Sequence, residues 1–232
     1  MAMQGAAAVP VQAGMTELVN VGDPRQMQAS GSVVKATIDD PASPIAYGYD
    51  ATLYLYYNRG PVITVGAPRF GFGGGEGGGP NTRSSGRGSL TDPDVIQARP
   101  YIAPEKQPKR TPREQEMYVP EDMREFARWT IPAPAERPRV IVRFAPEKDL
   151  VLSGLIQHGN EIAEKPAVVD VPHGKGHILL FANNPMWRNQ TQGSWPLVFN
   201  AIMNFDHLDA GRTASTASSS PLDQKSETGD QK

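Results

Sequence analysis

An α/β fold is what this sequence predicts, and three observations carry that expectation. Short runs of β-branched, aromatic and leucine residues recur along the chain, as in "SVVKATI", "TLYLYY", "VIVRF" and "HILLFA", each bounded by Gly, Pro or Asp. An amphipathic helical pattern near residues 194–205 follows the last of them. Between the early and late strand runs, from residue 66 to 138, Gly and then Pro and charge dominate, so the sheet is expected to be interrupted by a long insertion.

The elements follow in chain order. Residues 1–31 are weakly patterned and expected to be weakly ordered. From Ser32, "SVVKATIDD" reads as a strand ending in a turn at residues 39–41. "SPIAYGYD" is turn-rich. Two strands follow, Thr52–Tyr57 and Val62–Val65, split by the "NRGP" turn. Tyr54 and Tyr56 share one face of the first, Leu53 and Leu55 the other, so one face is core and the other partly exposed. Residues 32–65 form the first ordered part.

Residues 66–138 hold 11 of the 22 prolines and the run "GFGGGEGGG". Such a stretch buries too little apolar surface to offset its ordering entropy and reads as a flexible linker. Two short helices are expected within it. In "TPREQEMY", Thr111 is an N-cap, Pro112 the first helical residue and Glu114 the partner of a capping box. "PEDMREFARW" places Met123, Phe126 and Ala127 on one face, expected to dock on the main body.

The ordered chain resumes over residues 139–210. "RVIVRF" is a strand, "AVVDV" another, "PHGKG" a turn and "HILLFA" the return strand, a hairpin by its spacing. The unbroken Ile178-Leu179-Leu180-Phe181 run predicts a central strand covered on both faces. The final helix begins near Ser194 with Pro196 in its first turn. Leu197, Val198, Ala201, Ile202 and Phe205 form its stripe, expected to pack across that strand. Residues 211–232 read as a disordered polar tail.

Composition narrows the chemistry. Over 232 residues the net charge is -2, which gives no reason to expect nucleic acid as a partner. With no cysteine there is no disulfide, thiolate metal site or cysteine nucleophile. No run of about 18 apolar residues is present, so no membrane span is expected. "MAMQGAAAVPVQAG" lacks a basic start and a long apolar run and does not read as a signal peptide; the cell compartment stays open.

The candidate site is the loop after "HILLFA", with Asn183, Asn184, Trp187, Arg188, Gln190 and Gln192. It follows a strand and precedes a helix, where α/β sheets place ligands. Arg188 could grip a carboxylate and Trp187 could stack on a sugar or a side chain. The competing and favoured reading makes Arg188 a clip, tied to neighbouring backbone carbonyls. Elsewhere the signals are weaker. His158 and Glu161 form an H-x-x-E pair, but such matches arise often by chance. His173 and His177 flank the "PHGKGH" turn with no third ligand in sight and read as a solvated turn. "GKG" lacks phosphate-loop spacing, and "GFGGGEGGG" is not followed by an apolar helix, which excludes a dinucleotide fingerprint.

The phrases "SPIAYGYD…LYLYYNRGPVITV" and "LSGLI…GNEIAEKPAVVDVPHGKGHILLFANNPMWRNQTQGSWPLVFNAIMN" are similar to the C-terminal region of large bacterial carboxypeptidase A-like zinc peptidases. That region resembles class I glutamine amidotransferase-like domains. The likeness covers roughly residues 32–65 and 139–208. It implies a partial, degenerate amidotransferase-like (flavodoxin-like) sheet with a C-terminal hairpin and helix. In such amidotransferases the last strand ends in His-Pro-Glu, a base and its orienting acid for a cysteine nucleophile. The matching residues here are Asn184, Pro185 and Met186, and no cysteine exists. The resemblance therefore implies a noncatalytic accessory domain, with zinc held by a peptidase domain in cis or trans and no cofactor in this chain. The resembled family is secreted or periplasmic. Two other functions stay open: a carbohydrate- or peptide-binding module using residues 183–192, and a hydrolase with an unrecognised site.

Overall fold

The computed structural model describes residues 1–16, 18–66 and 136–212; the linker and helices expected within residues 67–135, and the tail beyond 212, lie outside the described residues. The fold is mixed α/β, with one large mixed sheet and few helices. The sheet takes β4 (Ser32–Ile38), β5 (Thr52–Tyr57), β7 (Arg139–Phe144), β10 (Pro166–His173) and β11 (Gly176–Phe181) in the order β11-β10-β7-β4-β5, with every neighbouring pair antiparallel. At the β11 edge β1 (Ala2–Met3) adds parallel, and β8 (Val151–Ser153) also pairs with β4. Two small sheets join β2 (Val19–Gly22) to β6 (Val62–Val65) and β3 (Gln28–Ala29) to β9 (Ile156–Gln157). Residues 1–31, where the sequence shows little pattern, thus supply strands to three sheets and the short helix α1 (Ala8–Gln12); a second short helix, α2 (Glu147–Leu150), lies between β7 and β8.

Side-chain alternation explains which strands sit where. In β5, Leu53, Leu55 and Tyr57 are buried while Thr52 and Tyr54 are exposed, the pattern of a strand with one wet face. In β10 all six residues from Pro166 to Val171 are buried, so it is the strand covered on both sides. The structure corrects the expectation for β11 here. Only Leu180 and Phe181 gain a second neighbour, the two-residue β1, and His177 and Ile178 are half-buried. The hairpin itself closes as its spacing predicts, with His173 opposite Gly176 and Gly174 supplying the positive φ of the tight turn. Tyr57 and Phe144 meet edge to face inside the core, ring centres 5.4 Å apart.

The helix α3 (Trp195–Met203) departs from expectation in its partner. It packs on the short 3-10 turn Pro44–Ala46 rather than across β11. Asn200 Nδ2 donates to the carbonyls of Ile45 and Tyr47, at 3.1 and 2.8 Å. The Tyr49 hydroxyl donates to Gly193 O at 2.6 Å and accepts the Leu197 N–H at 3.2 Å. Burial of that hydroxyl pushes its pKa up to about 12, so it stays a donor throughout the physiological range. Leu197, Val198 and Ala201 face inward; Ile202 and Phe205, expected in the same stripe, are exposed. Among the described residues no helix is long and apolar enough to cross a membrane.

Glu161, half of the H-x-x-E pair, has a structural duty. Its carboxylate accepts the backbone N–H groups of Arg25 (2.6 Å), Gln26 (2.8 Å) and Met27 (3.1 Å), pinning the segment before β3. Desolvation nudges its pKa up, but the bonds from Gln26, Arg25 and Met27 outweigh that and hold it below the ordinary 4.5. A depressed folded pKa stabilises the fold above the unfolded value and is lost as pH falls through the folded one. Between about pH 5 and pH 3, urea midpoints should therefore fall more steeply for the natural chain than for Glu161→Gln, whose amide has no charge to lose. Parallel slopes would remove Glu161 from the acid response.

Candidate functional site

The loop after β11 is built largely from its own polar residues. Asn183 is buried; its Nδ2 donates to Tyr56 O at 3.2 Å, tying the loop to β5. Its Oδ1 is buried with no hydrogen-bond partner among the described residues. Asn184 Oδ1 accepts the Met186 N–H at 3.0 Å, a local turn that a short polar side chain makes readily. The Ser194 hydroxyl lies 2.6 Å from Pro185 O and 2.7 Å from Thr191 O, so the end of the loop folds back on its start. Gln192 donates to Asn189 Oδ1 at 3.2 Å. Asn184 is thus spent on a turn, and Met186 is exposed.

Between these anchors the chain is contorted. Arg188, Asn189 and Thr191 all have positive φ, at 46°, 62° and 46°. Side chains with a Cβ rarely adopt that region, and each such residue costs on the order of 1 kcal/mol. The outcome is a half-buried Trp187 with the Arg188 guanidinium 5.4 Å from its ring centre. Trp187, Asn184, Gln4, Tyr56 and Asn58 line a cleft of about 10 Å³ beside it, space for a single water-sized group.

The expected clip is therefore corrected. Arg188 is exposed and makes no hydrogen bond or ion pair among the described residues; its guanidinium stands over the Trp187 ring. The clips are Asn183, Asn184 and Ser194. Gln190 is exposed and Gln192 bonds only within the loop. Of the six candidates, Trp187 and Arg188 are brought together, Asn184 joins Trp187 at the cleft, and Asn183 holds the loop to the sheet.

A second polar cluster escaped the sequence reading. His177 was expected in a solvated turn, yet its Nδ1 lies 2.7 Å from Oδ1 of Asp170, which is fully buried in β10. Arg212 Nη2 donates to the other Asp170 oxygen at 2.7 Å, and Arg212 Nη1 to Arg137 O at 2.9 Å. Asp209 Oδ1 stands 3.4 Å from His177 Nε2 and 3.3 Å from Arg212 Nε. The signal was an aspartate inside the apolar run "AVVDV", since a carboxylate there needs partners from elsewhere in the chain. The group ties residues 209–212 to the central strand, and no nucleophile stands beside the imidazole among these contacts. Among the described residues no group of three or more His, Asp or Glu is placed to hold a metal ion. Compared with protein-family models, curated proteins and solved structures, the chain matches none.

Proposed function

We propose that this chain is a noncatalytic accessory module that holds a peptide by a carboxylate, working beside a zinc carboxypeptidase-like domain in cis or trans. One observation carries the reading. Arg188 is an exposed guanidinium with no acceptor among the described residues, carried by a strained backbone and steadied on Trp187. A guanidinium is a planar fork matched to a carboxylate, and prior positioning lowers the entropy cost of binding. The ring face towards Arg188 is engaged by the cation, which favours a carboxylate over a stacked sugar as the guest. The sequence likeness of residues 139–208 supports the placement beside a peptidase, and with it an amidotransferase-like ancestry for the hairpin and α3. The five long strands pair antiparallel, unlike the parallel sheet expected of a flavodoxin-like fold, so that ancestry rests on the sequence likeness alone.

The test combines stability and binding. Arg188→Ala should melt within about 1 kcal/mol of the natural chain, the scale of an exposed cation–π contact. Binding of short peptides with a free C-terminal carboxylate, followed by tryptophan fluorescence, should weaken about tenfold or more, the loss of a charged hydrogen bond. C-terminally amidated peptides should bind the natural chain as weakly. Equal binding of free and amidated peptides would overturn the proposal, and preferential binding of neutral oligosaccharides would favour the carbohydrate reading.

A further inference from the structure

We infer that the cavity beside the β5–β6 turn is a separate site for a small carboxylate, with Arg59 as its cation. The cavity is an open hollow of about 250 Å³ lined by Gln28, Ala29, Ser30, Asn58 and Arg59, of which Gln28, Ser30 and Arg59 are exposed to water. This is just under the roughly 300–1,000 Å³ of sites that enclose drug-sized ligands, so its guest is a small acid or a single acidic end-group. Four of its five lining residues have polar side chains. None of those four side chains makes a hydrogen bond or ion pair among the described residues. The guanidinium supplies a two-pronged donor, the amides of Asn58 and Gln28 further donors, and no carboxylate lines the space to repel an anion.

The turn fixes the backbone at Arg59. Arg59 has φ 50°, where glycine would sit without strain. Its neighbours leave it little freedom. The Asn58 carbonyl accepts from Gln4 Nε2 at 2.7 Å, and the Gly60 carbonyl accepts from the buried Tyr57 hydroxyl at 2.6 Å. A Cβ on Gly60 would stand 2.0 Å from Ala182 O, so the turn is pressed against the end of β11 and only glycine fits there. A charged, exposed side chain thus springs from a strained, bracketed backbone and makes no hydrogen bond or ion pair among the described residues. Strain maintained in that way, with nothing internal to repay it, marks a residue kept for a ligand.

The cavity shares Asn58 with the cleft at Trp187. The inference does not need the Trp187–Arg188 reading, and its variants leave that pair untouched. The experiment titrates succinate, inorganic phosphate and sodium chloride into the ¹⁵N-labelled full chain, following the amide signals of Asn58, Arg59 and Gly60. Succinate should saturate at a concentration where chloride at equal ionic strength does not. Arg59→Gly should melt no lower than the natural chain, because glycine relieves the strained φ. The same variant should bind succinate about ten- to a hundredfold more weakly. Arg59→Lys should recover little, since an ammonium lacks the planar fork. No saturable succinate response would overturn the site, as would an Arg59→Gly chain that binds like the natural one or one that melts clearly lower. Tighter binding of phosphate than of succinate would overturn the ligand class.

Discussion

Asp170→Ala should cost about 3–5 kcal/mol, the loss expected when one partner of a buried ion pair is removed. The reason lies in what stays behind. Asp170 is fully buried and shares its two oxygens between His177 and Arg212, whose side chains are only 8% and 10% exposed. A neutral imidazole can live without an acceptor more cheaply than a guanidinium can. Arg212 cannot shed its charge, and Asp209, a second carboxylate beside it, is largely exposed to water and so a weaker substitute. Against a total stability on the order of 5–15 kcal/mol, the loss approaches the whole in a marginal case. Arg212→Met, which removes the charge and fills the space, should cost less, because His177 Nδ1 still engages the carboxylate. Urea unfolding of both variants checks the order. If Asp170→Ala stays within about 1 kcal/mol of the natural chain, the cluster is not the tie that holds residues 209–212 to the sheet.

How much of this was legible in the sequence depends on the range of the interaction. Local rules located the strands well: the Pro and Gly of "NRGP" separate β5 from β6, and Gly174 closes the β10–β11 hairpin, because turn chemistry acts within a few residues. Beyond that hairpin, the pairing of the strands was not legible. β5 and β6 follow one another yet belong to different sheets, β6 finding β2 across more than forty residues of sequence. The same limit hid the tie between Asp170 and Arg212, and the capture of Glu161 by backbone amides well over a hundred residues earlier. Arg188 shows a different limit. Its residue type allowed a clip or a clamp, with the clip favoured, and no local rule foretold a backbone φ of 46° or a guanidinium that makes no hydrogen bond or ion pair among the described residues. Arg59 read as an ordinary turn residue, because no local rule reports that a turn is pinned on both sides by Gln4 and Tyr57.

Phe181→Ala should also cost about 3–5 kcal/mol, and Phe199→Ala should cost far less, although the two residues look alike in the sequence. Phe181 is the last residue of β11, with no exposed surface; it pairs with Val168 on one side and Met3 on the other. Removing its ring leaves a void that two flanking strands cannot close without breaking register, so both the transfer free energy and the cavity term are lost. Phe199 belongs to the same apolar helical run, but α3 turns Leu197, Val198 and Ala201 inward and leaves Phe199 46% exposed. Truncating a ring that is already half in water forfeits only part of its burial, about 1 kcal/mol. Ile202, Met203 and Phe205 are still more exposed, at 53%, 77% and 73%, so the helix is apolar on nearly all sides while the described core uses one of them. That asymmetry makes the pair of substitutions decisive about packing. Equal losses would mean that α3 is covered on its outer face in solution, as a helix apolar all round ordinarily is. The expected inequality would confirm that the inner stripe alone, seated on the turn Pro44–Ala46, holds the helix in place.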